Sequence, residues 1–345
     1  MSSIAFAELP YIKETASTAL RQIITTHTFT LPLCLVIGSA LWLLPEVGNI
    51  LLWGGWLVAI VTALFYAELN TKEGLLRKRS QMVSIVCFAL LVGCPLWHIG
   101  NGASLVPLLL LCAYYCMINT LQASRPEGYC FYSYAFLSCA SLLLPQTVWL
   151  VPAMVWNHAA YMRSLTLRSL VASALGFFVP GVMLALYFFC LKGESGFLSW
   201  IAQHFVQSAD VNLDHWQQLL SAMPQEWSVS DWQFLSTFVC LLGIGIVSIV
   251  HFLYTSLKDK LRVRMFYNML LSAELALLLC VLLFPHQRES LLMLLSVNSA
   301  PLVAHYFTLA NGWLAQVVFY FSLIIYISLI IFNYNTQWIL SLVFS

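Results

Sequence analysis

Charge is what this chain has least of. Only 8% of its 345 residues are Asp, Glu, Lys or Arg while 61% are hydrophobic, where a soluble domain carries roughly a quarter charged residues. A water-soluble core cannot hide that much apolar surface, so the solvent is lipid. The net charge of +1 comes with short basic runs that abut apolar segments, and this excludes nucleic acid as a partner. No CxxC occurs among the ten cysteines, all of which lie within or beside apolar runs, the placement of small apolar fillers. Cys112 and Cys116 stand one helical turn apart without a third ligand, so neither a metal nor a cofactor is expected. A cleavable leader is not expected either. Residues 1–30, MSSIAFAELPYIKETASTALRQIITTHTFT, hold two Glu and no short apolar core before a small-residue cleavage site. Ile12, Ala16, Leu20 and Ile24, spaced by four, predict an interfacial helix within 1–28.

What the chain does have is one apolar run after another. A bilayer core of about 30 Å needs about 20 apolar residues in a helix, and runs near that size cover 29–45, 50–67, 82–97, 103–121, 129–144, 148–162, 169–191, 234–254, 265–284, 291–310 and 313–333. The fold expected is all-α, a polytopic transmembrane bundle of about eleven helices. Its parts are an interfacial segment (1–28), seven helices in 29–191, an acidic Trp-rich loop (192–233), and four helices in 234–345.

Residues 129–162 read either as one overlong helix or as two short arms broken at Pro145. With two arms and a cytoplasmic N-terminus, thirteen of the fifteen Lys and Arg fall inside, leaving Lys192 and Arg288 outside. With one arm the split drops to nine against six, so the positive-inside rule selects the hairpin. The loop, with Lys192 against Glu194, Asp210, Asp214, Glu226 and Asp231, is then extracytoplasmic. Phe197, Trp200, Ile201, His204 and Phe205 follow helical spacing there, and with Trp216, Trp227 and Trp232 they predict a stripe held at the lipid surface.

Two stretches carry a resemblance: ELNTKEGLLRKRSQM at 68–82 and AFLSCASLLLPQTVWLVPAMVWNHAAYMRSLTLRSLVASALGFFVPGVMLALYFF at 135–189. Together they resemble an uncharacterised family of multipass inner-membrane proteins of Bacteroidota, which implies a cell inner membrane location and carries over no catalytic residue. The second stretch is also faintly similar to the middle of polytopic glycosyltransferases that use lipid-linked sugars. Those enzymes place an acidic residue in a long first outer loop. Here that loop is LPEVGN, with Glu46 alone.

Ionisable groups within a bilayer cost about 2.5–3.5 kcal/mol on insertion scales. Glu274, mid-way along 265–284 with Ser272 nearby, reads as a proton- or cation-linked carboxylate, as a general acid or base, or as a neutral carboxyl hydrogen-bonded to a neighbouring helix. The helix 291–310 holds Ser296, Asn298, Ser299, Pro301 and His305. Pro301 removes a backbone donor and frees a carbonyl one turn back, so this helix either lines a cavity, with Asn298 and His305 as substrate-binding candidates, or is a plain kink. His251 reads as a packing residue. Asp210 and Asp214, four apart in SADVNLDHW, are substrate-binding candidates that share a face if the segment is helical and could then bridge a hard cation, or are two solvated carboxylates. Three functions follow. The first is handling of a lipid or lipid-linked substrate at the outer face, with membrane lipids as partners. The second is secondary transport, and the third is a non-catalytic role beside other envelope proteins.

Overall fold

The computed structural model describes residues 21, 24, 25, 27, 29–43, 48–78, 80–98, 102–121, 123–201 and 228–344, with the side chains of 192–198 and 335–344 excepted. Within them the regular structure is helical throughout. Eleven α-helices follow in chain order among the described residues: α1 (Thr30–Leu43), α2 (Ile50–Glu73), α3 (Met82–Val92), α4 (Val106–Ile118), α5 (Glu127–Leu143), α6 (Val151–Trp156), α7 (Leu167–Ile201), α8 (Val229–Thr255), α9 (Leu261–Leu283), α10 (Arg288–Leu309) and α11 (Trp313–Phe344). Six of them, α2 and α7 to α11, are long and apolar enough to cross a bilayer, so the chain is an all-α integral membrane protein.

Local sequence sets where these helices begin and end. Asn49 caps α2 by accepting from the Leu51 amide. Gly74 ends it at φ 63°, a left-handed conformation that lets its N–H reach the Asn70 carbonyl. The Asn70 side chain then ties the following turn, donating to the Ser80 carbonyl at 2.6 Å and accepting from the Leu76 amide at 3.1 Å. Two ends differ from those the apolar runs suggest. The polar stretch 192–196 contains no proline, and α7 continues through it to Ile201, so the sequence FLSWI extends a transmembrane helix. Trp200 packs back on Phe188 at 5.5 Å. Helix α8 starts at Val229, ahead of its apolar run, because Ser228 and Asp231 form a reciprocal capping box.

Between α5 and α7 the chain doubles back. Leu144 is extended ahead of Pro145 (φ −135°, ψ 95°), the conformation a following proline imposes. A 3-10 turn, α6 and a π turn (Asn157–Tyr161) come next. The His158 ring stacks on Tyr134 of α5 at 5.6 Å, which makes 127–161 a hairpin of two short arms. Helix α7 lies against α5 so closely that a Cβ on Gly176 would sit 2.2 Å from the Phe131 carbonyl oxygen.

Helix α10 is the axis of the bundle. Its spanning window is 100% buried, whereas that of α7 is 6% buried and forms the rim. At one end of the bundle Arg262 pairs with Glu73 at 2.6 Å and donates to Asn119 at 3.1 Å. Arg77 pairs with Asp259 there and donates to the Thr255 carbonyl at 2.9 Å. Arg21 donates to the Phe307 and Ala310 carbonyls at the C-terminus of α10, where the helix dipole favours a cation. This is the basic end. At the opposite end Arg288 pairs with Asp231, and Asn333 donates to the Gly93 carbonyl at 2.8 Å.

Candidate functional site

The polar residues of α10 lie in the interior of the bundle. Ser296, Asn298, Ser299, Pro301 and His305 are all buried. Proline cannot donate from its nitrogen, so the Val297 carbonyl, one turn before Pro301, lacks its helical partner. Tyr66 of α2 supplies one, its hydroxyl donating to the Val297 oxygen at 2.9 Å. This is the protein partner that a broken helix at membrane depth requires. The Tyr267 hydroxyl makes longer contacts, 3.4 Å each, with the Pro301 and Leu75 carbonyls.

Glu274 projects from α9 onto this kink. Asn298 Nδ2 donates to its Oε2 and Ser299 Oγ donates to its Oε1. The same Asn298 amide also reaches the Leu270 carbonyl at 3.0 Å, and the Ser299 hydroxyl reaches the Leu295 carbonyl at 2.8 Å. Tyr66 and Tyr114 face the carboxyl electrostatically from α2 and α4. Among the described residues no Lys, Arg or His interacts with it. The Tyr114 hydroxyl and Asn298 Oδ1 are buried without a hydrogen-bond partner. Ser272, nearest to Glu274 in sequence, turns away and donates to Asn157 Oδ1 of the π turn at 2.6 Å.

Toward the basic end, His305 Nε2 meets Asp259 Oδ2 at 3.2 Å with both side chains fully buried. The other Asp259 oxygen takes Arg77. Burial works against the Asp259 charge, but hydrogen bonds from His305 and Arg77 outweigh it and hold the carboxyl below its ordinary range. His305 Nδ1 is buried without a partner, as is Nδ1 of His251, whose ring lies 5.7 Å away. Phe252 and Tyr267 enclose His305 edge-on at 5.6 and 5.0 Å.

On another side of α10 a groove of about 390 Å³ runs between α8 and α11, within the 300–1,000 Å³ typical of ligand pockets. Thr237, Cys240, Gly243 and Val247 line it from α8, Val318, Phe321, Tyr326 and Leu329 line it from α11, and Leu90 of α3 and Gly93 at its C-cap complete it. Val239, Val247 and Phe321 on its margins are exposed to the surroundings of the bundle, which at this depth are lipid. Its floor reaches Ser296. Helix α10 thus separates the groove from the carboxyl, Ser296 bordering the one and Asn298 with Ser299 holding the other. Thr237, at the groove's end away from the basic residues, receives Asn333 Nδ2 at 3.4 Å and donates to the Gln233 carbonyl at 2.7 Å.

Of the residues singled out from sequence, Glu274 and Asn298 come into direct contact, and His305 lies on the same helix two turns nearer the basic end. Asp210 and Asp214 lie outside the described residues, as do Glu46, Phe205, Trp216, Trp227 and most of the expected interfacial segment 1–28. Among the described residues no three His, Cys, Asp or Glu side chains gather as metal ligands. Two residues that carry no motif in the sequence matter here. Asp259 is the single acid within the basic run 258–264, and that isolation is a signal in itself. Tyr66 gives no sign in the sequence of its tie to Val297. Outside the site, His98 is buried and stacked on Trp42 at 3.7 Å. No protein-family model matches the chain, and no curated protein or solved structure matches it significantly.

Proposed function

We propose that this integral membrane protein handles a lipid or lipid-linked substrate, seating its hydrocarbon chain in the groove between α8 and α11. The carrying observation is the groove itself: about 390 Å³, walled by aliphatic and aromatic side chains, and bordered by residues exposed to lipid. Moving a chain from bilayer to groove gains no hydrophobic energy, because lipid tails are as apolar as leucine. The groove therefore acts by position, fixing where the polar end of the molecule sits. At the end away from the basic residues that position is beside Thr237, Gln233, Asn333 and the Arg288–Asp231 pair. In this reading the protein lies in the cell inner membrane with its N-terminus and basic end cytoplasmic, as the distribution of Lys and Arg supports, and the head group is handled at the outer face. The resemblance to inner-membrane proteins of Bacteroidota agrees with it. A secondary transporter is the second reading, favoured by the Glu274 centre on the kinked helix α10. A lipid carrying a photoreactive group on its acyl chain tests the proposal in bilayers containing the full chain. Cross-links concentrated in 237–247 and 318–329 are expected. Cross-links spread evenly over the exposed residues of α7 and α9 would overturn it.

A further inference from the structure

We propose that Glu274 is a proton-binding site that exchanges its proton with the basic end of the bundle by way of His305. The inference stands independently of what occupies the groove.

The hydrogen bonds around Glu274 accommodate the carboxyl with or without its proton. A serine hydroxyl has one hydrogen, yet Ser299 Oγ lies within bonding distance of both Glu274 Oε1 and the Leu295 carbonyl. With Glu274 ionised, the hydroxyl donates to Oε1. When a proton arrives on Oε1, that O–H donates to Ser299 Oγ, and the serine turns its own hydrogen to the Leu295 oxygen. Asn298 Nδ2 donates to Oε2 in both states. Loss of the proton reverses the two moves, and both Glu274 oxygens keep a partner in either state.

Among the described residues the titratable groups that face Glu274 are the phenols Tyr66 from α2 and Tyr114 from α4, and α9 and α10 contribute no charged side chain to it. A purely structural carboxyl needs only its two donors. Here Asn298 Oδ1 and the Tyr114 hydroxyl are additionally buried and unpartnered beside it, the condition under which interior water is held.

His305 provides the exit. Asp259, itself held by Arg77, fixes the Nε2 side of the ring, which leaves Nδ1 as the ring nitrogen outside the ion pair. That nitrogen is buried without a protein partner, and so is Nδ1 of His251 next to it. Six residues of α10 separate His305 from Ser299, an axial rise of about 9 Å. Tyr267 stands along that interval, its ring 5.0 Å from His305 and its hydroxyl against the Pro301 carbonyl.

Infrared spectroscopy of the full chain in lipid bilayers tests the site and the route. The wild type should show the C=O stretch of a protonated carboxyl that disappears as pH rises and is absent from Glu274→Gln. Ser299→Ala should shift that band, which assigns it even if Glu274→Gln does not accumulate. His305→Gln keeps a donor for Asp259 but cannot carry a proton, and hydrogen–deuterium exchange of the band should slow by an order of magnitude. A carboxyl band absent at every pH, or present and invariant across the range in which the protein stays folded, would overturn the site. An exchange rate unchanged in His305→Gln would overturn the route.

Discussion

Replacing Tyr66 by Phe removes a single oxygen, and the structure says what that oxygen does. It donates at 2.9 Å to the Val297 carbonyl, which Pro301 has deprived of its helical partner. The phenol is almost wholly buried, and Val297 is buried as well, so nothing in the fold replaces the lost donor. An unsatisfied buried acceptor costs about 1–3 kcal/mol. Interhelical side-chain bonds in membranes measure lower, at about 0.6 and up to about 1.7 kcal/mol. For Tyr66→Phe we therefore expect a loss of about 1–2 kcal/mol. Pro301→Ala restores an N–H aimed at the same carbonyl, and in that background Tyr66→Phe should cost about 1 kcal/mol less. The unfolding free energies of the four proteins, measured in one mixed-micelle system, give this coupling directly. Equal losses from Tyr66→Phe in both backgrounds would show that the two groups do not serve one carbonyl.

Two further predictions rest on other contacts. Gly176→Ala should destabilise the bundle by about 1–3 kcal/mol through overpacking, because the new Cβ meets the backbone of Phe131 and no flexible side chain; an unchanged unfolding midpoint would show that α5 and α7 are not held at this approach. Asp259 is held below its ordinary carboxylate range, so its ion-pair contribution is complete above the unfolded value of about 3.9 and fades as pH falls through the folded one. Asp259→Asn should therefore be the less stable protein near neutrality, with the gap to wild type closing in acid below about pH 4, and a gap constant with pH would contradict the assignment.

Much of the fold was legible because lipid imposes a simple rule: a run of apolar residues of the right length becomes a helix. Each of the eleven runs overlaps one helix, including the short arms that Pro145 separates. The ends were less legible. Helix α7 passes through a polar stretch because nothing there breaks it, and α8 starts early because Ser228 and Asp231 cap it. At the site, Glu274, Asn298 and His305 each stood out as polar residues in apolar surroundings. That Glu274 meets Asn298 rather than Ser272 depends on the rotation of α9 against α10, which the polar pattern of one helix does not specify. The groove left no trace in the sequence, since Val239 or Phe321 beside a cleft reads the same as any lipid-facing residue. Asp259 went unnoticed among its basic neighbours because its pairing with His305 spans 46 positions of chain.

If the groove between α8 and α11 receives a hydrocarbon chain, filling the groove must exclude that chain. A Cβ at Gly243 would meet nothing within 4 Å, so Gly243→Phe can fill the groove without disturbing the helices around it. Cross-linking of the photoreactive acyl-chain lipid to 237–247 and 318–329, compared between wild type and Gly243→Phe at equal amounts of folded protein, is therefore the most direct measurement. Strong labelling in the wild type and its loss in the variant are expected. Labelling of these segments that is equal in the two proteins would contradict occupation of the groove.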